Sequence, residues 1–511
     1  MKKWKIFTLI SWIFFITFPL ILGQLNSDSE YLFGGLFFNP IDGYSYFAKM
    51  QQGYAGELAF QLPYASQANN EILIFTFYIL IGHLSRILGL SIPIVYHIFR
   101  VAIAVSFFFS LGPLLDKYFP KDNAFYKGAF LSILFGGGLG WLYFLSGDLP
   151  VDFWVSEAFV FLSAFSNPHF MLSFLCLSLL LNLLLTDNYG FKHLFGYFSL
   201  GLILVNISPF AAIIFGFVMI IDFFINNKEK LSNKVRSNLS FGLPVVSIGM
   251  YQYFTIKSDP ILSIWNLQNV TTTPTITNLI FGLSPLLIGS VILFLLIYSK
   301  KIVIPKPVIL LICWIIFSIA MGYFPFNLQR RFLVGIYLPL SVVFWYLLST
   351  YTSNKGKPIN KLLPISILVI SVISNLIVFA GSSNALINQD PLFFIKSEVN
   401  QAVDWMDTNI DQKSVILANE KIGLEIPALG NYRVVYGHPF ESLNAEKTQQ
   451  MIEKFWENQL SNDSAINFLK ENNVDYIFCE LAESGHECPE VTKTYETVYK
   501  RGNIVIFQVQ N

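Results

Sequence analysis

This 511-residue chain is short of charge. Asp, Glu, Lys and Arg make up 13% of it, about half the usual share for a soluble domain. Its 33 basic residues match its 33 acidic ones, so no net positive field argues for a nucleic-acid partner. Cysteine is scarce: Cys176, Cys313, Cys479 and Cys488 form no CxxC motif. Cys176 and Cys313 fall in apolar runs and read as small core residues. Cys479 and Cys488 fall in the polar C-terminal region and can pair if that region is extracytoplasmic. That region contains no GxGxxG, no phosphate loop and no nucleophile elbow. No clear internal repeat runs through the chain.

What fills the sequence instead is apolar: 54% of residues are hydrophobic and 16% aromatic, so most of it is expected to lie in a membrane. The start, MKKWKIFTLISWIFFITFPLILG, resembles a signal sequence. Its apolar part is too long for a signal core and lacks a convincing small-residue cleavage site, so it reads as an uncleaved first span. Lys2, Lys3 and Lys5 keep its N-terminus in the cytoplasm by the positive-inside rule. The apolar run Ile72 to Leu90 carries His83 and Arg86 and is interrupted by Gly82 and Gly89. It reads as an amphipathic helix on the outer surface, and a span is the alternative.

With that choice the lysines alternate correctly. Pro93 to Leu115 runs inward to Lys117, Lys121 and Lys127. Gly128 to Leu145 and Phe170 to Leu185 follow, then Leu194 to Ile207 and a return to Phe224, with Lys228, Lys230, Lys234 and Arg236 inside. Leu239 to Phe254, Leu279 to Tyr298, Val308 to Phe324, Phe332 to Leu348 and Leu362 to Ala380 complete about eleven spans. Lys300, Lys301, Lys306, Lys355, Lys357 and Lys361 fall inside. The predicted fold class is thus mainly α: a polytopic transmembrane bundle, N-terminus in and C-terminus out, over residues 1–384. Its outer loops are 24–92, 146–166 and 255–277. Residues 391–511 are predicted to form an extracytoplasmic α/β domain. Helices are expected at Ser397 to Asn409, Ala445 to Gln459 and Asp463 to Glu471. Strands are expected at Val415 to Ala418 and Asp475 to Phe478, with a hairpin turning at Arg501 and Gly502.

Two acidic loops fall on the outer side. In the first, LFFNPIDGYSYFAKMQQGYAGE, Asp42 stands just after Pro40 and beside the aromatic residues Tyr44, Tyr46 and Phe47. A carboxylate held there at a membrane surface suits a general base; an Asp before a helical run is also an ordinary N-cap. The second loop has Asp148, Asp152 and Glu157. Outer loops are often simply solvated and acidic, but Glu157 sits in an apolar run and needs a partner, a metal or a proton. Asn167, Pro168 and His169 open the next span as a capped helix start. His169 is also placed to meet a substrate hydroxyl or to join a carboxylate at a metal. Arg330 and Arg331 lie at an outer span boundary, against the general charge bias. Guanidinium forks there suit phosphate oxygens; snorkelling anchors are the alternative. Arg100, near the outer end of the second span, is a candidate for a structural ion pair or an anionic ligand.

Taken together, the first-loop motif NPIDGYSYF, the second acidic loop from Asp148 to Glu157 and the late basic site QRRFLVGIYLPL resemble the membrane-embedded GT-C glycosyltransferases. The resemblance is to the protein O-mannosyltransferase and aminoarabinose transferase branches and covers most of the chain. The WWD-type signature of oligosaccharyltransferases is absent, and the first loop has one acidic residue where O-mannosyltransferases commonly have an Asp-Glu pair. The resemblance implies transfer of a sugar from a polyprenyl-phosphate donor to an extracytoplasmic protein, lipid or glycan acceptor; the Lys-, Asn- and Ile-rich composition without a cleavable signal fits a bacterial plasma membrane. Asp42 would be the base, with Glu157 or Asp152 orienting the acceptor or holding a metal. Arg330 and Arg331 would hold the lipid phosphate, with Tyr44, Arg100, His169 and Asn167 as further substrate contacts. No cofactor is assigned, and a divalent metal is a candidate. A lipid-linked sugar transporter and a non-catalytic scaffold are the competing classes; the lack of a repeat and the charges gathered at one face count against transport.

Overall fold

The computed structural model describes residues 2–186, 189–226, 230–355, 362–481 and 488–509. Lys228, Lys357 and Lys361, three of the expected inner lysines, lie outside the described residues. Each of the eleven apolar segments is helical, though two are broken. Among the described residues, five helical segments are long and apolar enough to cross a membrane: Lys3–Leu25, Ile92–Leu115, Leu231–Ser258, Gln329–Ser353 and Leu362–Ile387. Counting each of two bent pairs as one span makes seven. Pro168–Leu184, Phe191–Ile207, Pro209–Ile225 and Lys306–Gly322 are shorter apolar helices, and so is Thr76–Leu88.

The chain gathers into two compact units. The first comprises Met1–Pro19, His97–Met250 and Thr271–Asn384; the second comprises Leu20–Tyr96, Tyr251–Val270 and Ala385–Asn511. The whole stretch 24–92 therefore belongs with the C-terminal region.

In the first unit the run FGGGLG breaks a helix. Ala124–Phe135 and Gly140–Ser146 meet at 47°. Three glycines in a row disfavour helix, and the peptide groups freed by the break must find partners in protein, because lipid offers none. They do. Gly137 N–H donates to the Ser371 carbonyl (2.7 Å) and Leu139 N–H to that of Phe281 (2.8 Å). The Phe135 carbonyl accepts from Asn375 Nδ2 (2.8 Å), and that of Gly137 accepts from Tyr337 OH (2.5 Å). Asp152 Oδ2 takes the N–H groups of both Gly138 (2.8 Å) and Gly140 (3.2 Å). Nearby, Trp345 is wholly buried and donates to Ser132 Oγ at 2.8 Å.

In the second unit the helix Pro40–Ala55 is seated by a Pro at its first turn, where a missing N–H costs nothing. It crosses Thr76–Leu88 at backbone contact: a Cβ on Gly53 would strike the Ile79 carbonyl, and one on Gly82 that of Met50. Its other neighbour is Glu420–Leu429, whose last turn accepts from Gln51 Nε2 at the Ala428 (3.1 Å) and Leu429 (2.7 Å) carbonyls. That helix lies between two parallel strands of a five-stranded sheet. The strand order is Arg433–Val434, Val415–Leu417, Tyr476–Glu480, Ile504–Gln508, Glu496–Arg501. The first three strands run parallel and the last two add antiparallel as a hairpin. A separate two-stranded ribbon pairs Tyr31–Phe33 with Phe394–Lys396. Cys479 and Cys488 form a disulfide.

Candidate functional site

The Pro40–Ala55 helix starts two residues before Asp42, so its N-cap is Asn39, held in the left-handed region at φ 45°. Asp42 is thus not the cap. It stands in the first helical turn, where a negative charge meets the positive end of the helix dipole. Its side chain is 41% exposed, whereas Gly43, Tyr44, Ser45, Phe47, Ala48, Lys49 and Met50 after it are buried. Asn39 Nδ2 donates to Asp42 Oδ2 at 2.6 Å. His438 Nε2 faces Asp42 Oδ1 at 3.6 Å.

Lys49 lies two helical turns beyond Asp42, on the same face. It is wholly buried, and its ammonium donates to Glu441 Oε1 (2.7 Å), Ser45 Oγ (3.2 Å) and the Ser45 carbonyl (3.3 Å). Burial alone would push the Glu441 carboxyl up; the Lys49 ammonium beside it brings it below the usual carboxylate range. Sequence reading missed Lys49, His438 and Glu441. Lys49 carried one signal, a charge in phase with Asp42 in a helix rich in aromatic residues; His438 and Glu441, in YGHPFES, carried none that separates them from a polar loop.

Tyr44, expected to touch substrate, is instead turned inward. It is 2% exposed, and burial pushes its phenol well above its ordinary range. Its ring packs edge-on against Phe47.

The first unit gathers a second cluster. Glu157, 3% exposed, meets Arg330 Nε at 3.2 Å and Arg331 at 3.8 Å. The partner this carboxylate needed is therefore the arginine pair, 173 residues away. The Arg330 guanidinium also lies over the Trp154 ring at 4.5 Å, a cation–π contact that fixes its plane. Two guanidinium groups thus face the one carboxylate. Arg331 is the more exposed of the two, at 31% against 16%.

The remaining candidates in this unit are buried. Asp152 is sealed in at 0% exposure, occupied by the glycine N–H groups described above; burial pushes its carboxyl up to about 6. Arg100 is fully buried, with Nε on His97 Nδ1 (3.0 Å) and Nη1 on the Ala164 carbonyl (2.5 Å). Asn167 occupies the N-cap of Pro168–Leu184 without a side-chain cap bond. His169 is 9% exposed and lies against Phe170. Among the described residues, no three His, Cys, Asp or Glu side chains gather at metal-binding range.

No protein-family model and no curated protein sequence matches this chain. Solved structures do. The oligosaccharyltransferase AglB of Archaeoglobus fulgidus, in complex with an inhibitory peptide and a dolichol-phosphate, superposes with a TM-score of 0.54 at 13% identity, over 94% of this chain and 69% of that one. The arabinofuranosyltransferase AftD from Mycobacteria superposes with a TM-score of 0.53 at 13% identity, over 98% of this chain. This chain spans 40% of that much longer protein. Both are GT-C glycosyltransferases, and the chain has the GT-C fold.

Proposed function

We propose that this protein is an integral-membrane glycosyltransferase that moves a sugar from a polyprenyl-phosphate donor to an extracytoplasmic acceptor. The observation that carries the reading is Asp42: a carboxylate that stays accessible at the head of a buried helix, with a donor facing each oxygen. An acceptor O–H gives its proton to Asp42 as its oxygen bonds to the anomeric carbon. The bond from that carbon to the phosphate oxygen breaks, and the electron pair leaves with the phosphate. Polyprenyl phosphate departs as an anion, so no separate acid is needed. One displacement with one base inverts the anomeric centre, by analogy with inverting glycosidases.

The Glu157–Arg330–Arg331 cluster is assigned the phosphate. Its two adjacent guanidinium groups suit an anionic headgroup, and electrostatic stabilisation of developing charge is commonly the largest catalytic contribution. Glu157 then serves as the buried counter-charge that holds Arg330 in place, and Asp152 serves the helix break. The dolichol-phosphate bound to the archaeal oligosaccharyltransferase makes a polyprenyl phosphate the ligand to try first.

Arg331→Ala tests this assignment. It removes the more exposed guanidinium and leaves the Glu157–Arg330 pair intact. Loss of a charge-assisted contact is worth roughly 1.5–3 kcal/mol, so the Kd for a fluorescent polyprenyl phosphate in detergent is expected to rise about 10- to 100-fold. An unchanged Kd contradicts the phosphate role.

A further inference from the structure

The loop that follows the strand Arg433–Val434 is built to hold one imidazole against Asp42. Its sequence, Tyr436 to Ser442, is YGHPFES. Gly437 packs on Gly423 so closely that neither has room for a Cβ. The N–H groups of Gly437 and His438 both donate to Ser442 Oγ, each at 3.2 Å, which closes the loop on itself. Glu441 ties the loop to the Asp42 helix through its ion pair with Lys49. The imidazole of His438 is 2% exposed and lies beside the Tyr64 ring, 5.6 Å between centroids.

The hydrogen bonds fix which ring nitrogen carries the proton. His438 Nδ1 faces the backbone N–H groups of Phe440 (3.1 Å) and Glu441 (3.2 Å). A peptide N–H can only donate, so Nδ1 is the acceptor. The neutral ring then bears its proton on Nε2. That nitrogen lies 3.6 Å from Asp42 Oδ1, just beyond hydrogen-bond range. Catalytic hydrogen bonds are often long before substrate is bound and tighten in the complex.

We propose that His438 is a positioning residue for Asp42: its Nε2–H, held in one tautomer by the loop, aims the carboxylate as the acceptor's base. This rests on the glycosyltransferase reading above. A neutral donor suits the task, because a Lys or Arg in its place would pair with the carboxylate and hold its charge more tightly. With Asn39 on the other oxygen, both Asp42 oxygens face a donor. The residue responsible comes from the far end of the chain, 396 positions after Asp42 by difference of their numbers.

Two substitutions separate positioning from loop building. His438→Asn keeps an oxygen near the Nδ1 position for the Phe440 and Glu441 N–H groups but removes the donor to Asp42. His438→Gln places an amide N–H near the Nε2 position but loses the loop acceptor. If His438 positions Asp42, the Asn variant loses about 10- to 100-fold in kcat, the scale of a misplaced catalytic group. KM for the lipid donor holds, and the Gln variant recovers most of the rate. The reverse order, with Asn near wild type and Gln impaired, overturns the proposal and leaves His438 a loop cap.

A second readout does not depend on turnover. Thermal shifts of Asp42→Asn, His438→Asn and the double variant are expected to be non-additive, because the two side chains act on each other. Additive shifts overturn the contact. Non-additive shifts in a protein that transfers no sugar would locate the failure in the glycosyltransferase reading instead.

Discussion

Asp42→Asn is expected to lower the turnover number for sugar transfer by about 10²- to 10⁴-fold, the range lost with a general base, while the Kd for the polyprenyl-phosphate donor stays within about twofold. The substitution keeps the side chain's shape and removes its capacity to take a proton. Asn39 can turn its own amide to meet the new one, so the helix start is retained. The stability cost should be limited to the lost charge at the helix N-terminus, about 0.3–1 kcal/mol. Steady-state kinetics with a saturating acceptor, paired with donor binding, checks both halves. A rise in Kd with kcat unchanged would move Asp42 from chemistry to binding.

Lys49→Met should produce the largest loss of stability in the second unit. Lys49 is wholly buried and Glu441 nearly so. Removing one partner of such a pair leaves the other charge buried without compensation, which costs roughly 3–5 kcal/mol. Replacing both, as Lys49→Met with Glu441→Leu, should recover much of it, since an apolar pair of similar volume is often tolerated. Unfolding of the detergent-solubilised protein, followed by tryptophan fluorescence, gives the comparison. The pH dependence has a definite sign. In the wild type the Glu441 carboxyl is held below its ordinary range, so its contribution is complete above the unfolded pKa and is lost as pH falls through the folded one. In Lys49→Met the isolated Glu441 gains by taking up a proton. The gap between wild type and variant should therefore narrow on acidification.

Much of the architecture was legible because apolar runs and lysines are local signals. The eleven helical segments follow from run length alone, and Ser397–Asn409, Val415–Leu417 and the 496–508 hairpin follow from periodicity and turn residues. Local signals also failed in definite ways. The helix Glu420–Leu429 carries Gly423 and Pro427, both poor helix formers, and its burial against Pro40–Ala55 outweighs them. The ribbon pairing Tyr31–Phe33 with Phe394–Lys396 joins two strands of three residues each, too short for alternation to show. The break at FGGGLG depends on Asp152, Tyr337 and Asn375, which no window around residue 137 contains.

The site divides the same way. Asp42 and the Arg330–Arg331 pair stood out because each violates its surroundings in sequence. Glu157 stood out as well, but its pairing with Arg330, 173 positions away, did not show, and Lys49, His438 and Glu441 acquire meaning only through contacts spanning 392 to 396 positions. Asp152, Tyr44 and Arg100 had suitable chemistry, and the structure buries all three. Composition cannot tell a carboxylate that serves a substrate from one that caps glycine N–H groups.

The most direct measurement uses a donor labelled twice, with tritium in the sugar and ³²P in the polyprenyl phosphate, given to the purified protein in liposomes with an envelope extract as acceptor. A glycosyltransferase separates the labels: tritium passes to the acceptor with inverted anomeric configuration, while ³²P remains in the lipid as free polyprenyl phosphate, and Asp42→Asn slows the separation by about 10²- to 10⁴-fold. Labels that stay together, whether the lipid crosses the bilayer intact or does not move, contradict the account.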